Sequence, residues 1–331
     1  MTPQVSIPYS EVPVQKRLVS ALDVNPDAPV QGVPAEPALA APPTMAARAR
    51  GLVALTKPNL SALVATTGVL GYALAAQTIE PMKLLHLAVG LWCTSGGAGA
   101  SNMIIERSLD ARMRRTRGRP LPQGLFSAPV AAGFALLIFL VGYLELALFT
   151  NWTTANLALL TTALYAVVYT PLKRRGPIAI FVGAFPGAIP PIMGWTAHEG
   201  TLAAPAWVLF GLLFLWQFPH FLALAWMYRE DYLRAGFDFL PAADRDGART
   251  GRWMVVGAAL LIPVTLLLEP LGAAHRLYSL GALAAGIWFL ARTLVMARRP
   301  SQVAARRVFF TSIIYLPLLL TLIVVDRLAL G

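Results

Sequence analysis

The sequence predicts an all-α membrane protein, with nine transmembrane helices in a bundle around a central cavity open to the cytosolic side. Three observations point there. Of 331 residues, 57% are hydrophobic and only 13% are charged, against roughly a quarter charged in an ordinary water-soluble domain. Unbroken apolar runs such as VAAGFALLIFLVGYLELALF and VFFTSIIYLPLLLTLIVV reach the ~20 residues that a helix needs to cross ~30 Å of hydrocarbon with its backbone satisfied internally. The basic residues cluster on alternate connections between these runs, the pattern that marks cytosolic loops.

Residues 1–50 form a Pro- and Ala-rich segment without an apolar core, so they are expected as a disordered cytosolic tail and not as a secretory signal. Glu11, Asp23, Asp27 and Glu36 speak against a mitochondrial transit peptide, which is poor in acids, and favour a bacterial plasma (inner) membrane. Residues 51–331 form the transmembrane domain, with spans at about 59–77, 83–105, 127–149, 152–170, 177–197, 204–227, 252–270, 273–296 and 307–328. An odd number of spans leaves the N-terminus in the cytosol and the C-terminus outside. Arg48, Arg50 and Lys57, then Arg107 to Arg119, Lys173 to Arg175, Arg229 to Arg252 and Arg298 to Arg307 lie on the cytosolic side, whereas the connections near Glu80, Asn151, His198 and Glu269 to Arg276 carry few positive charges. The net charge of +11 is therefore a topological signal, and no basic, aromatic-interleaved domain suited to nucleic acid is present. The single cysteine, Cys93, sits in an apolar run and offers neither a disulfide framework nor a cysteine metal site.

Span two ends SNMIIERSLDARMRRTRGRPLP, which places Asn102, Glu106 and Asp110 at i, i+4 and i+8. A helix stacks such residues on one face, about 6 Å apart per step. Aligned carboxylates repel, so the arrangement gains only with a cation or a basic partner between them. Oxygen ligands with room for water suit Mg2+, which keeps part of its hydration shell and bridges to substrate phosphates. The alternative is a solvated helix end whose acids pair with Arg107, Arg114 or Arg115; the membrane depth of Asn102 and Glu106 disfavours it, because polar groups there are costly and usually functional. A second acidic motif, Glu230-Asp231 after span six, mirrors the first, and Asp231 faces it if the two halves pack together.

A metal-bridged diphosphate leaves oxygens that need cationic donors. Lys173 and Arg174 of YTPLKRRGP, with Arg114, Arg115 and Arg119, are the candidates. His220 in WQFPHF follows Pro219, which loosens the helix and frees a carbonyl. A histidine at membrane depth needs a partner: a structural bond to Gln217, a proton to handle, or a bound cofactor. Span five, IAIFVGAFPGAIPPIMGW, carries Gly183, Gly187, Pro186, Pro190 and Pro191, a composition that lets helices approach closely or break around a large ligand.

These motifs resemble, in order, those of the haem O synthases (protoheme IX farnesyltransferases), a branch of the UbiA-type intramembrane prenyltransferases. TKPN at Thr56 to Asn59 resembles the family's entry to its first helix. NMIIERSLDARMRRTRGRPLP resembles its first acidic motif and loop, and YTPLKRRGP, GAIPPIMGW, WQFPHFLALAW and EDYLRAGFDFLP follow collinearly. RMRRTRGRPLP, PGAIPP and WQFPHF point to the haem branch; Glu106 stands where much of the superfamily has Asp, and Asp231 lacks a second acid at i+4. The resemblance implies transfer of a farnesyl group from farnesyl diphosphate to a vinyl group of haem B, giving haem O and diphosphate. It implies Mg2+ held by Asn102, Glu106, Asp110 and Asp231, diphosphate met by Lys173, Arg174 and the loop arginines, and His220 positioning haem or handling a proton. Haem A synthase or oxidase assembly proteins are the downstream partners it suggests. Two rivals share parts of the pattern. An aromatic-acid polyprenyltransferase of quinone biosynthesis is separated from it by WQFPHF; a haem transporter or assembly factor needs no magnesium and releases no diphosphate.

Overall fold

The long apolar stretches become helix throughout. The structure, a computed structural model, describes residues 44–173, 176, 178–234, 236, 241, 244 and 246–330, with side chains to residue 326, and no strand occurs among them. Helix α1 (Met45–Leu55) is capped by Thr44, whose Oγ1 accepts from the Ala47 N–H at 3.2 Å. Residues 45–50 of the expected tail are thus helical, and residues 1–43 lie outside the described part.

Helices α2 (Pro58–Ala75), α3 (Pro81–Asp110) and α4 (Ala128–Phe149) follow, each with proline in its first turn. Proline is tolerated there because the N–H it lacks has no intrahelical acceptor. Helix α5 runs Trp152–Leu172. Helices α6 (Ile178–Ala188) and α7 (Pro190–Glu199) are the two halves of the fifth expected span, parted at Ile189 before the Pro190-Pro191 pair. Then come α8 (Ala204–Met227), the short α9 (Arg229–Arg234), α10 (Ala248–Leu266), α11 (Arg276–Arg298) and α12 (Gln302–Leu330).

Six of these rods are long and apolar enough to cross a membrane: α4, α5, the α6–α7 pair, α8, α11 and α12 as far as Asp326. The other three expected spans coincide with α2, α3 and α10. These are more polar, since α10 opens on Arg249 and Arg252 and α3 ends in its acidic motif. Burial grades the rods. The apolar stretches of α6–α7 and α8 are 67% and 61% buried, against 22% for α4 and for α5. The α6–α8 segment is therefore the inner wall, while α4 exposes Leu136, Leu137, Leu140, Val141 and Leu144, a belt of apolar side chains that suits lipid and not water.

Close approach of helices is set by side chains that are missing. A Cβ on Gly194 of α7 would lie 1.8 Å from the Gly68 carbonyl oxygen of α2, so only glycine permits this crossing. Without an apolar driving force between helices in lipid, such backbone contacts are what packing relies on.

Candidate active site

At one end of the bundle the C-terminal ends of α3 and α5 meet the head of α2. Helical spacing puts Asn102, Glu106 and Asp110 on one face of α3, as the sequence predicts, and none is more than 5% exposed. Asn102 donates from Nδ2 to Thr170 Oγ1 of α5 at 3.0 Å and accepts from Lys57 Nζ at Oδ1. Glu106 pairs with Lys173 at 2.9 Å, and Asp110 Oδ2 with Arg119 at 2.6 Å. The loop after α3 folds back to make the last contact, with Thr116 Oγ1 donating to the Asp110 carbonyl at 2.9 Å. Arg115 lies over the Tyr228 ring, 5.5 Å from its centroid. Asn102, Glu106, Asp110, Arg115, Arg119 and Lys173, with Lys57, Tyr165, Tyr169 and Tyr232, line a cavity of about 220 Å3.

Asp110 Oδ1 is buried and has no hydrogen-bond partner among the described residues. An unpaired buried carboxylate oxygen is costly. With Glu106 and Asn102 along the same helix face it offers hard oxygen donors of the kind that Mg2+ takes together with water or phosphate oxygens. The described residues hold no group of three or more His, Cys, Asp or Glu placed to bind a metal, so the expected four-residue set with Asp231 is not assembled among them.

Part of the expected set stands elsewhere. Asp231 on α9 ion-pairs with Arg234 and does not line the cavity; its neighbour Tyr232 does. One residue along a helix turns the side chain by about 100°, so the rotation of α9 alone exchanges the acid for the phenol. Arg114 is exposed and also stays outside the cavity. Arg174 lies outside the described residues.

Sequence reasoning missed Lys57 and the two tyrosines of α5. Lys57 has a φ of +50°, the one positive value among the described non-glycine residues, and this left-handed turn aims its stem inward just before Pro58. Its Nζ reaches Asn102 and lies 3.3 Å from the Tyr165 hydroxyl. Burial, helped by the charges of Lys173 and Arg119, pushes its pKa down to about 7. For Lys173, burial acts in the same sense but the Glu106 carboxylate outweighs it, and the pKa is raised. Residues Leu164–Tyr169 of α5 form a π-helical segment, a widening frequent at functional sites. Its causes are local: Pro171 removes one helical N–H, and Thr170 Oγ1 takes the Tyr165 carbonyl at 2.8 Å. Both tyrosines then face the cavity. The available signals were the Tyr165, Tyr169, Lys173 spacing of four and the lysine inside TKPN.

A second cavity, of about 250 Å3, adjoins the first and shares Tyr165, Tyr169, Gly183 and Phe221 with it. Its walls are mainly apolar, with Leu63, Pro186, Met193 and Trp216 among them, and it includes His220. The His220 ring is stacked between Trp216 and Phe309, at 4.7 and 4.9 Å, with Nδ1 2.7 Å from Ser312 Oγ. Because Ser312 Oγ donates to the Phe309 carbonyl at 2.6 Å, it accepts from Nδ1, which leaves Nε2 as the basic nitrogen. Gln217, a candidate partner for His220 in the sequence, instead donates to the Ala184 and Leu213 carbonyls, each at 3.1 Å.

Residues 63–314 match the UbiA prenyltransferase family, and a protoheme IX farnesyltransferase from Solibacter usitatus is 41% identical over 288 residues, covering 84% of this chain and 99% of that one. The chain belongs to the UbiA prenyltransferase family. The fold agrees. A solved structure of digeranylgeranylglyceryl phosphate synthase matches with a TM-score of 0.73 at 18% identity, covering 86% of this chain and 99% of that one. A UbiA homologue from Archaeoglobus fulgidus, solved with DMAPP and Mg2+, matches with a TM-score of 0.57 at 14% identity over 83% and 99%. In this UbiA chain, then, the acidic face of α3, the cations around it and the apolar cavity beside it occupy one continuous region.

Proposed function

We propose that the chain transfers a farnesyl group from farnesyl diphosphate to a vinyl group of haem B, forming haem O and releasing diphosphate. The observation that carries this reading is the meeting of two unlike cavities, one cationic with carboxylates at its edge and one apolar with His220, at Tyr165, Tyr169, Gly183 and Phe221. A prenyl diphosphate needs both environments, and its breaking bond belongs at their junction. The name of the Solibacter usitatus relative supports haem as acceptor. The Mg2+ bound with DMAPP in the Archaeoglobus fulgidus homologue supports a divalent metal.

In this reading Asn102, Glu106 and Asp110 hold Mg2+, which when bound stabilises the leaving diphosphate as a Lewis acid. Lys57, Lys173, Arg115 and Arg119 take the remaining phosphate oxygens; Arg174, next in sequence, remains a candidate from the motif alone. As the allylic C–O bond breaks, the rings of Tyr165 and Tyr169 face the positive charge that develops on the farnesyl chain, and the apolar walls exclude water. A C–C bond forms to the vinyl carbon, and water adds to the cation left on the side chain with loss of a proton. His220 Nε2 contacts the haem or accepts that proton. All nine rods are read as spans around a cavity open to the cytosol, with the N-terminus inside and the C-terminus outside a bacterial plasma membrane, which the basic connections at the cationic end support.

Membranes carrying the protein, incubated with haem B, farnesyl diphosphate and Mg2+, are expected to yield a new, more apolar haem on chromatography, and an Asp110→Ala variant that remains folded in the membrane to yield none. Haem O formed by that variant overturns the metal assignment. A wild-type protein that prenylates an aromatic acid and leaves haem B unchanged overturns the acceptor.

A further inference from the structure

Arg292 lies on α11 six residues before the end of the helix at Arg298, about 9 Å along its axis, inside a stretch apolar enough to span a membrane. Helix α12 runs back beside it, with Arg306 and Arg307 in its first turns after Gln302. The three arginines line one open cavity of about 600 Å3 together with Val303, Phe310 and Ile314. All three are exposed, and among the described residues no carboxylate pairs with any of them. The Arg306 guanidinium lies 5.5 Å from the Phe310 ring centroid, which orders it against the apolar wall. Phe310 and Ile314, 48% and 55% exposed, continue that wall along α12.

We propose that this groove binds an anionic phospholipid of the cytosolic leaflet, its phosphate held by Arg292, Arg306 and Arg307 and an acyl chain lying along Phe310 and Ile314. Guanidinium groups grip phosphate bidentately, and basic pockets between membrane helices on the cytosolic side are suited to lipid headgroups. Arg292 sits about 9 Å below the helix end, where its long side chain must reach up to a polar partner, and the headgroup phosphate beside Arg306 and Arg307 supplies one. The groove is at the same end of the bundle as the catalytic cavity. A neighbouring cavity joins Met227 and Tyr228, at the end of α8, to Gln302, Val303 and Arg306, and Tyr228 carries Arg115 of the active site. The groove shares no described lining residue with that site, so a lipid can sit in it without displacing the prenyl substrate.

The test is native mass spectrometry of the full chain in detergent with equal amounts of phosphatidylglycerol and phosphatidylethanolamine. Wild type is expected to retain phosphatidylglycerol preferentially. The preference falls by roughly fivefold per arginine removed in Arg292→Gln, Arg306→Gln and Arg307→Gln combined, with the unfolding midpoint in lipid-free detergent unchanged. A control that removes equal charge from exposed positions, Arg48→Gln, Arg50→Gln and Arg112→Gln, keeps the preference. No preference in wild type, an undiminished one in the triple variant, an equal loss in the control, or displacement of the lipid by millimolar inorganic phosphate each overturns the proposal.

Discussion

Replacing Lys173 by Met keeps an apolar stem of similar length and removes one charge from a buried pair. The Lys173–Glu106 contact is 2.9 Å, with the side chains 13% and 6% exposed. Breaking such a pair from one side typically costs about 3–5 kcal/mol, because the remaining ion is stranded. Here the cost should be about 3 kcal/mol, at the lower end of that range, since Lys57 and Arg119 still border the same cavity as Glu106. Adding Glu106→Gln removes the stranded charge and should restore about 2 kcal/mol, a coupling that a double-mutant cycle measures directly. Catalysis should not follow stability. Loss of one charged bond to phosphate costs about 2 kcal/mol, roughly thirtyfold in kcat/KM for farnesyl diphosphate, and the double variant also lacks Glu106, a proposed metal ligand. Unfolding in mixed micelles by dodecyl sulfate titration reads the first quantity; chromatography of haem products reads the second. A double variant that regains turnover together with stability would refute the role of Lys173 as a phosphate donor, and a single variant as stable as wild type would refute the buried pair.

Three other expectations use the same two assays. Lys57→Met should raise the KM for farnesyl diphosphate about tenfold, the loss of one charged hydrogen bond, and Lys57→Arg should recover part of it. Its pKa, about 7 in the fold against an ordinary 10.5, makes the ligand-free protein gain stability as pH rises above 7, because the unfolded chain then binds the extra proton; the variant should show a shallower rise between pH 7 and 9. Gly194→Ala should destabilise by about 2 kcal/mol through its clash with the Gly68 carbonyl, while Gly133→Ala, with nothing within 4 Å of the added carbon, should be neutral. Chelation of divalent metal should abolish turnover reversibly, with recovery on adding Mg2+ measured as haem O formed.

What the chain reveals before folding is what depends on local pattern. Hydrocarbon thickness dictates the length of an apolar run, so the rods could be read, and an interval of four residues fixes a face, so Asn102, Glu106 and Asp110 could be aligned. Lys173 was legible as a cation at a helix end. Asp231 was not, because α9 has six residues and takes its rotation from packing, not from its own periodicity. The Ser312 partner of His220 is 92 positions away, beyond any local rule. Lys57 looked like one more topological anchor until its left-handed backbone turned it inward. The π-helical segment of α5 has no propensity signature; only Pro171 and Thr170, read together, hint at it.

The charges at the cationic end explain how so polar a site persists at the edge of hydrocarbon. Glu106 and Asp110 are taken by Lys173 and Arg119. Lys57 and Arg115 are left over, and each rests on neutral groups: Lys57 on Asn102 and Tyr165, Arg115 on the Tyr228 ring. When substrate arrives, these pairings can exchange without any ion being stranded. On the proposed function, Glu106 and Asp110 would turn to the metal and Lys173 and Arg119 to phosphate oxygens, where Lys57 and Arg115 would join them. Among the described residues four cations and two acids line this cavity, a balance that suits the proposed diphosphate, which carries more negative charge than one Mg2+ offsets. The same exchange run backwards favours release. In the proposed reaction, once the farnesyl group has moved to its acceptor the diphosphate would lose its tether in the apolar cavity, and the internal ion pairs, which reclaim Lys173 and Arg119, would compete it away.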